Sequence, residues 1–209
     1  MTLYFRNIKK KDFKTLESII QKIWEYDTFC SPKTSKRAVK MFLSSCLAHS
    51  SFSQVAVYQD QVVGVILAKD LTCKKQNVRD LFRLASSLLP LYLTEEGRHV
   101  LTNLTKVEAL DQELLAKSNK NYEAELTLFV MADGYQGKGI GKTLYQAAIS
   151  YFEQQKVTNF YLFTDTKCHY QFYEYQGMKQ QDKKMMTLTL TPDRSKEQIG
   201  FFLYDKELK

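Results

Sequence analysis

The spacing of hydrophobic residues changes character several times along the chain. Over 11–27, Leu16, Ile19, Ile20, Ile23 and Trp24 recur with a helical period, and Val39, Phe42, Leu43, Cys46 and Leu47 do the same over 34–50. Both stretches read as amphipathic helices, the first with Asp12 as its cap, the second after a break at Pro32. Shorter β-branched and aromatic runs read as strands. "TLYFRNI" (2–8) opens the chain, and "SQVAVYQDQVVGVILAKD" (53–70) forms a hairpin around Tyr-Gln-Asp-Gln. Residues 72–122, rich in Leu, Lys and Glu, predict two or three helices interrupted at Pro90 and Gly97. "EAELTLFVM" (123–131) is the clearest strand, followed by a glycine loop and an amphipathic helix over 142–156. "NFYLFTD" (159–165) is almost continuously apolar, as a buried parallel neighbour would be. A short helix, "CHYQFYEYQ", ends at Gly177, a natural C-cap, and strands around 184–190 and 199–205 finish the chain. This order implies a mixed α/β sheet with one right-handed crossover at its centre and a helical insertion between the third and fourth strands.

Composition narrows the class. A chain of 209 residues with 44% hydrophobic and 13% aromatic content fits a single domain, 1–209, with a substantial core. The net charge of +7 favours anionic partners, but the basic residues are dispersed as "KKK" at 9–11 and pairs at 74–75 and 183–184. No nucleic-acid motif accompanies them, so nucleic acid is not the expected partner. Cys30, Cys46, Cys73 and Cys168 are unevenly spaced, and His49, His99 and His169 show no ligand spacing, so no metal is expected. "MTLYFRNIKKKDF" has no apolar core for secretion, and the best apolar run, 84–93, is too short for a bilayer and contains Pro90. The expectation is a cytoplasmic protein with no membrane partner.

The chemistry concentrates in "GYQGKGIGKTL", 134–144, where Gly137, Gly139 and Gly141 run into a helix. A nucleoside-triphosphate loop would need glycine where Gln136 stands, and a dinucleotide fingerprint would need one at Lys142. Gln-x-x-Gly-x-Gly, at Gln136, Gly139 and Gly141, fits instead, directly after a strand and opening a helix. Glycines there let backbone N–H groups approach an anion closely. The motif resembles the pyrophosphate-binding loop of the GNAT superfamily of N-acetyltransferases. A second motif agrees: "FYEYQGM", Phe172 to Met178, is similar to the superfamily's Phe-Tyr-Glu-x-x-Gly-Phe signature, departing only where Met178 replaces an aromatic. The likeness in element order runs from residue 2 to the C-terminus apart from 72–122.

The resemblance implies the GNAT (acyl-CoA N-acyltransferase) fold, in which two central parallel strands splay apart around acetyl-CoA. Backbone groups of Leu128, Phe129 and Val130 would meet the pantetheine and acetyl carbonyl, and Gln136, Gly137, Lys138, Gly139, Ile140, Gly141 and Lys142 the diphosphate. His169 stands where an asparagine is common and would support the pantetheine, although a plain surface histidine is the alternative. A primary amine, of a small molecule or of a peptide or protein, would attack the thioester directly in a ternary complex. Tyr173 matches the proton donor to the leaving thiolate, against the alternative that it only packs. Glu125, eleven residues before Gln136, matches a glutamate that deprotonates the amine in some branches, against the alternative of a solvated carboxylate at a strand's start; water can carry the proton instead. Glu123 shares its strand face. Trp24 and Tyr26 end the first helix, where substrate-binding residues are often found, against the alternative of an ordinary core tryptophan. Dimers are common in the superfamily, so a homodimer is compatible with the reading. A non-catalytic acyl-CoA-binding or partner-binding module on the same fold is the competing function, and a basic nucleic-acid binder a weaker third. The insertion is expected to be a helical lid that shapes the acceptor site, with Leu81, Leu84, Leu88, Leu89 and Leu91 covered by the main body, against the alternative of a surface decoration or dimer contact.

Overall fold

The strand-forming runs pair into one seven-stranded sheet in a computed structural model that describes residues 2–72, 78–189 and 195–208. Cys73, the Lys74–Lys75 pair and position 190 lie outside the described residues. The strands are β1 (Leu3–Arg6), β2 (Phe52–Tyr58), β3 (Gln61–Asp70), β4 (Ala124–Met131), β5 (Asn159–Asp165), β6 (Lys179–Thr189) and β7 (Lys196–Glu207), in the spatial order β1-β2-β3-β4-β5-β7-β6. Only β4 and β5 run parallel; every other neighbouring pair is antiparallel. The β2–β3 turn places Gln59 and Asp60 at φ +49° and +61°, the left-handed pair whose twist suits a two-residue hairpin. The last two strands are longer than their apolar runs suggested, because their pairing continues through polar residues at both ends.

Helices cover both faces. On one side lie α1 (Phe13–Ile23), the short α2 (Tyr26–Phe29), α3 (Pro32–His49), α4 (Val78–Tyr92) and α5 (Glu95–Ser118). Leu16, Ile20, Leu43 and Leu91 pack there on Val55, Val65, Leu67, Leu128 and Val130. On the other side α6 (Ile140–Gln154) and α7 (Gln171–Tyr175) bury Leu144, Tyr145, Phe152 and Tyr173 against Ile66, Phe160 and Tyr204. A third cluster joins Leu110 and Leu114 of α5 to Tyr161, Phe201 and Leu203. Among the described residues no helix is long and apolar enough to cross a membrane.

Three local expectations change. Asp12 precedes α1 but does not cap it: its carboxylate takes both guanidinium nitrogens of Arg6 at 2.7 and 2.8 Å and the Lys9 N–H at 2.7 Å. Pro32 starts α3 rather than merely preceding it, its fixed φ and missing N–H suiting a first helical position. Pro90 lies within the last turn of α4, and the break falls at Leu93 and Thr94. There the Thr94 hydroxyl accepts the Gly97 N–H at 3.2 Å as an N-cap. Gly97 therefore opens α5 rather than interrupting it, and a Cβ on it would lie 2.3 Å from the Leu91 carbonyl. Leu84, Leu88 and Leu91 are covered as expected, whereas Leu89 is 61% exposed.

Candidate active site

The centre of the sheet is a gap. β4 and β5 pair only at Ala124↔Phe160 and Glu125↔Tyr161, after which pairing stops and the strands separate. β4 stays anchored on its other edge to β3, with one irregularity: Leu67 pairs Leu128 and Ala68 pairs Leu126, leaving Thr127 as an extra, bulged residue. The bulge turns the strand over. Leu126 packs with the α6 side, while Leu128 and Val130 pack with the α1 and α3 side. Glu125, alternating with Ala124 and Leu126, therefore shares its face with Leu128.

One mouth of the gap is a groove of about 940 Å³ lined by Phe129, Val130, Gln136, Gly137, Gly139, Gly141, Lys142, His169 and Tyr173, with Lys22 and Lys167 also on its wall. Its floor is the start of α6. Gly139 is the N-cap at φ +75°, a conformation that other residues enter only with strain. No side chain caps this helix and no acidic residue sits in its first turn, so its leading N–H groups and positive dipole end are left for an anion. Gly141 is different: its φ is helical, and a Cβ there would touch the Phe129 ring at 3.4 Å.

The other mouth opens into a cavity of about 290 Å³ with mainly apolar walls. Trp24, Tyr26, Phe42, Leu128, Phe163 and Phe201 contribute, and α5 lays one face along it through Val100, Asn103, Leu104, Val107 and Asp111. Three carboxylates enter this wall: Asp111, Glu125 and Asp165. Burial pushes the Asp111 carboxyl up to about 7, with Glu125, Asp165 and Glu108 adding repulsion. Burial also raises the Glu125 carboxyl, against the pull of Lys69, the Tyr161 hydroxyl and His49. Asp165 is satisfied, accepting from the Trp24 indole at 2.9 Å and from the Lys167 N–H at 2.8 Å. Groove and cavity share Phe129, Lys167, Cys168 and Tyr173. Tyr173 is buried, its ring 6.4 Å from that of Phe129, and burial drives its phenol well above the usual range, so it stays protonated.

Most residues singled out by motif thus converge. Leu128, Phe129 and Val130 flank the gap, Gln136, Gly137, Gly139, Gly141, Lys142 and His169 border the groove, and Tyr173 borders both spaces. Lys138 is not on the groove wall: its ammonium sits over the rings of Tyr135 and Tyr58 at 5.0 and 5.7 Å. Ile140 buries its side chain in the α6-side core, leaving its backbone at the helix start. Glu123 points elsewhere, accepting from the Thr158 N–H and hydroxyl at 2.6 and 3.0 Å. Trp24 and Tyr26 do line the cavity. Sequence reading missed Asp111 and Asp165. Asp111 had a legible signal: with Val100, Leu104 and Val107 it completes an apolar helical stripe with a carboxylate.

The model of the acetyltransferase (GNAT) family matches residues 16–178. No curated relative matches the sequence. Among solved structures, SsHAT is similar with a TM-score of 0.66 at 14% identity, over 99% of this chain and 98% of that one. The ribosomal-protein-alanine N-acetyltransferase from Brucella melitensis gives 0.54 at 16% identity, over 98% and 99%. The PaiA N-acetyltransferase from Thermoplasma acidophilum, in complex with coenzyme A, gives 0.51 at 14% identity over 100% of both chains. At such identities these structures speak for the fold.

Proposed function

Because the chain belongs to the GNAT acetyltransferase family, we propose that it moves the acetyl group of acetyl-CoA to a primary amine by direct attack, working as one domain whose 72–122 insertion walls the acceptor site. The observation that carries this reading is the meeting of two differently lined spaces at Phe129, Cys168 and Tyr173, where β4 and β5 part. One is floored by an uncapped helix start with lysines, suited to a diphosphate; the other is apolar with carboxylates, suited to an amine.

In this scheme the first-turn N–H groups of α6, with Gln136 and Lys142, hold the diphosphate. The β4 edge freed after Glu125 lies open to the pantetheine and the acetyl carbonyl. The amine nitrogen adds to the thioester carbon, the carbon–sulfur bond breaks, and the thiolate takes a proton from Tyr173. Glu125 takes the amine proton. It stands four residues before Phe129, roughly 13 Å along a regular strand and less across the bulge, so water relays that proton.

The test is thiol release from acetyl-CoA with a panel of primary amines, for the native protein and Tyr173→Phe. The phenylalanine variant should lose about 10²–10⁴-fold in kcat with its acetyl-CoA affinity kept. Tight acetyl-CoA binding with no release toward any amine would favour a non-catalytic module; full turnover in the variant, with chemistry rate-limiting, would return Tyr173 to packing.

A further inference from the structure

Among the described residues, the acceptor cavity contains two buried oxygen atoms that accept no hydrogen bond, and both lie on the same face of α5. They are Oδ1 of Asn103 and Oδ1 of Asp111. The amide nitrogen of Asn103 is already used, donating to the Thr189 carbonyl at 2.9 Å, so its oxygen is what faces the unfilled requirement. Eight residues separate the two, about 12 Å along a helix. Leaving such acceptors dry is costly, and only a donor relieves it.

The charge around them is one-sided. Asp111, Glu125 and Asp165 share the cavity wall, and Lys167, which borders it, is already held by Glu25 at 2.7 Å and Glu197 at 2.8 Å. An ammonium group fits this setting, having three N–H donors and no acceptor. A carboxylate or phosphate on the acceptor would meet repulsion instead.

Position separates this anchor from the reacting end. Asp111 lies within electrostatic reach of Glu125, which stands where β4 still pairs with β5, at the closed end of the gap. The thioester enters from the groove at the open end, beside Phe129 and Tyr173, roughly 13 Å away along β4 before the bulge shortens it. Between the ends the walls are apolar: Leu104, Val107, Leu128, Phe163 and Leu188. Resting on the acetyltransferase reading above, we propose that the acceptor is a linear aliphatic di- or polyamine, its far ammonium anchored by Asp111 while its near nitrogen meets the thioester at Tyr173. Asp111 is then the specificity-determining residue, and the insertion supplies it.

Calorimetry on the whole protein tests this, using α,ω-diaminoalkanes of four to eight carbons and spermidine against 1-aminoalkanes of equal length, with thiol release followed in parallel. The diamines should bind about 10–100-fold tighter than the matched monoamines, the range expected for a charged hydrogen bond. Asp111→Asn, which keeps shape, should bring diamine affinity down to the monoamine value while acetyl-CoA still binds; Asp111→Ser serves if the asparagine variant does not fold. Equal binding of the two series, or a diamine preference that survives in the variants, overturns the proposal, as does tighter binding of amino acids than of diamines. Diamine binding that depends on Asp111 without any thiol release would uphold the anchor and defeat the transfer reading, so the two failures are distinct.

Discussion

An aspartate held in an apolar wall against two other carboxylates should weaken the fold, and Asp111→Asn should strengthen it. The side chains are nearly isosteric, so the substitution removes charge without opening a cavity. Burial first, and repulsion from Glu125, Asp165 and Glu108 next, lift the Asp111 carboxyl from an ordinary 3.8 to about 7. A carboxyl raised in the folded state binds its proton more tightly there than in the unfolded chain. Its stabilising effect is therefore complete below pH 4 and disappears as pH rises toward 7. About three units at roughly 1.4 kcal/mol each give about 4 kcal/mol, which solvent reaching through the cavity mouth reduces to about 2–4 kcal/mol. Urea unfolding at pH 4, 5.5, 7 and 8.5 reads this directly. Asparagine and wild type should be nearly equal at pH 4, with the variant gaining steadily and leading by that amount at pH 8.5. A difference independent of pH, or a variant weaker than wild type at pH 8.5, would refute the account of Asp111 as a strained, unpaired charge. The gain in stability is expected to accompany loss of the diamine anchor, the usual trade at a functional site.

The remaining predictions concern the other parts of the site and the fold's edge. Gly139→Asp forces a residue with a Cβ into φ +75° and puts a negative charge at the α6 start, so acetyl-CoA affinity should be lost in a protein that still folds; calorimetry showing unchanged affinity would contradict the assignment of the diphosphate. Glu125→Gln should flatten the acid limb of the kcat/KM pH profile, which in wild type is expected above the ordinary glutamate range because burial raises that carboxyl. A limb that persists in the variant would leave water as the base. Burial opposes the charge of Asp12, but Arg6 and the Lys9 N–H outweigh it and hold its carboxyl below the usual range, so its contribution is present above pH 4 and lost as pH falls through that depressed value. Asp12→Asn should therefore destabilise by about 1 kcal/mol at pH 7, since solvent reaches the Arg6 side of the pair, with the gap closing in acid; chemical denaturation at pH 7 and pH 2.5 checks it.

The groove side of the candidate site was readable from the chain because it is local. Gln136, Gly139 and Gly141 sit within six residues, and their requirement is a backbone one: an uncapped helix start and a left-handed φ at Gly139. The same holds for Tyr173, whose register within a five-residue helix follows from its motif. Strands were legible where β-branched runs are bounded by turns, as at Gln59 and Asp60. Pro90 misled because proline breaks helices in general, whereas here it lies two residues from a terminus set by Thr94 and Gly97.

The cavity side was not readable, since nothing local specifies it. Trp24 meets Asp165 across 141 positions, and Asp111 comes within electrostatic reach of Glu125 only because α5 and β4 line the same cavity. The bulge at Thr127 deepens the difficulty. Strict alternation would put Glu125 on the same face as Thr127 and Phe129; the extra residue places it with Leu128 and Val130 instead. One residue thus decides whether the glutamate looks into the cavity or into the α6-side core. The insertion itself is built into the core rather than laid over it. Leu91 and Leu114 are fully buried, and α5 supplies both cavity wall and core, so selectivity and stability are carried by the same helix. Within it, the position whose charge opposes packing is the one left free for a ligand.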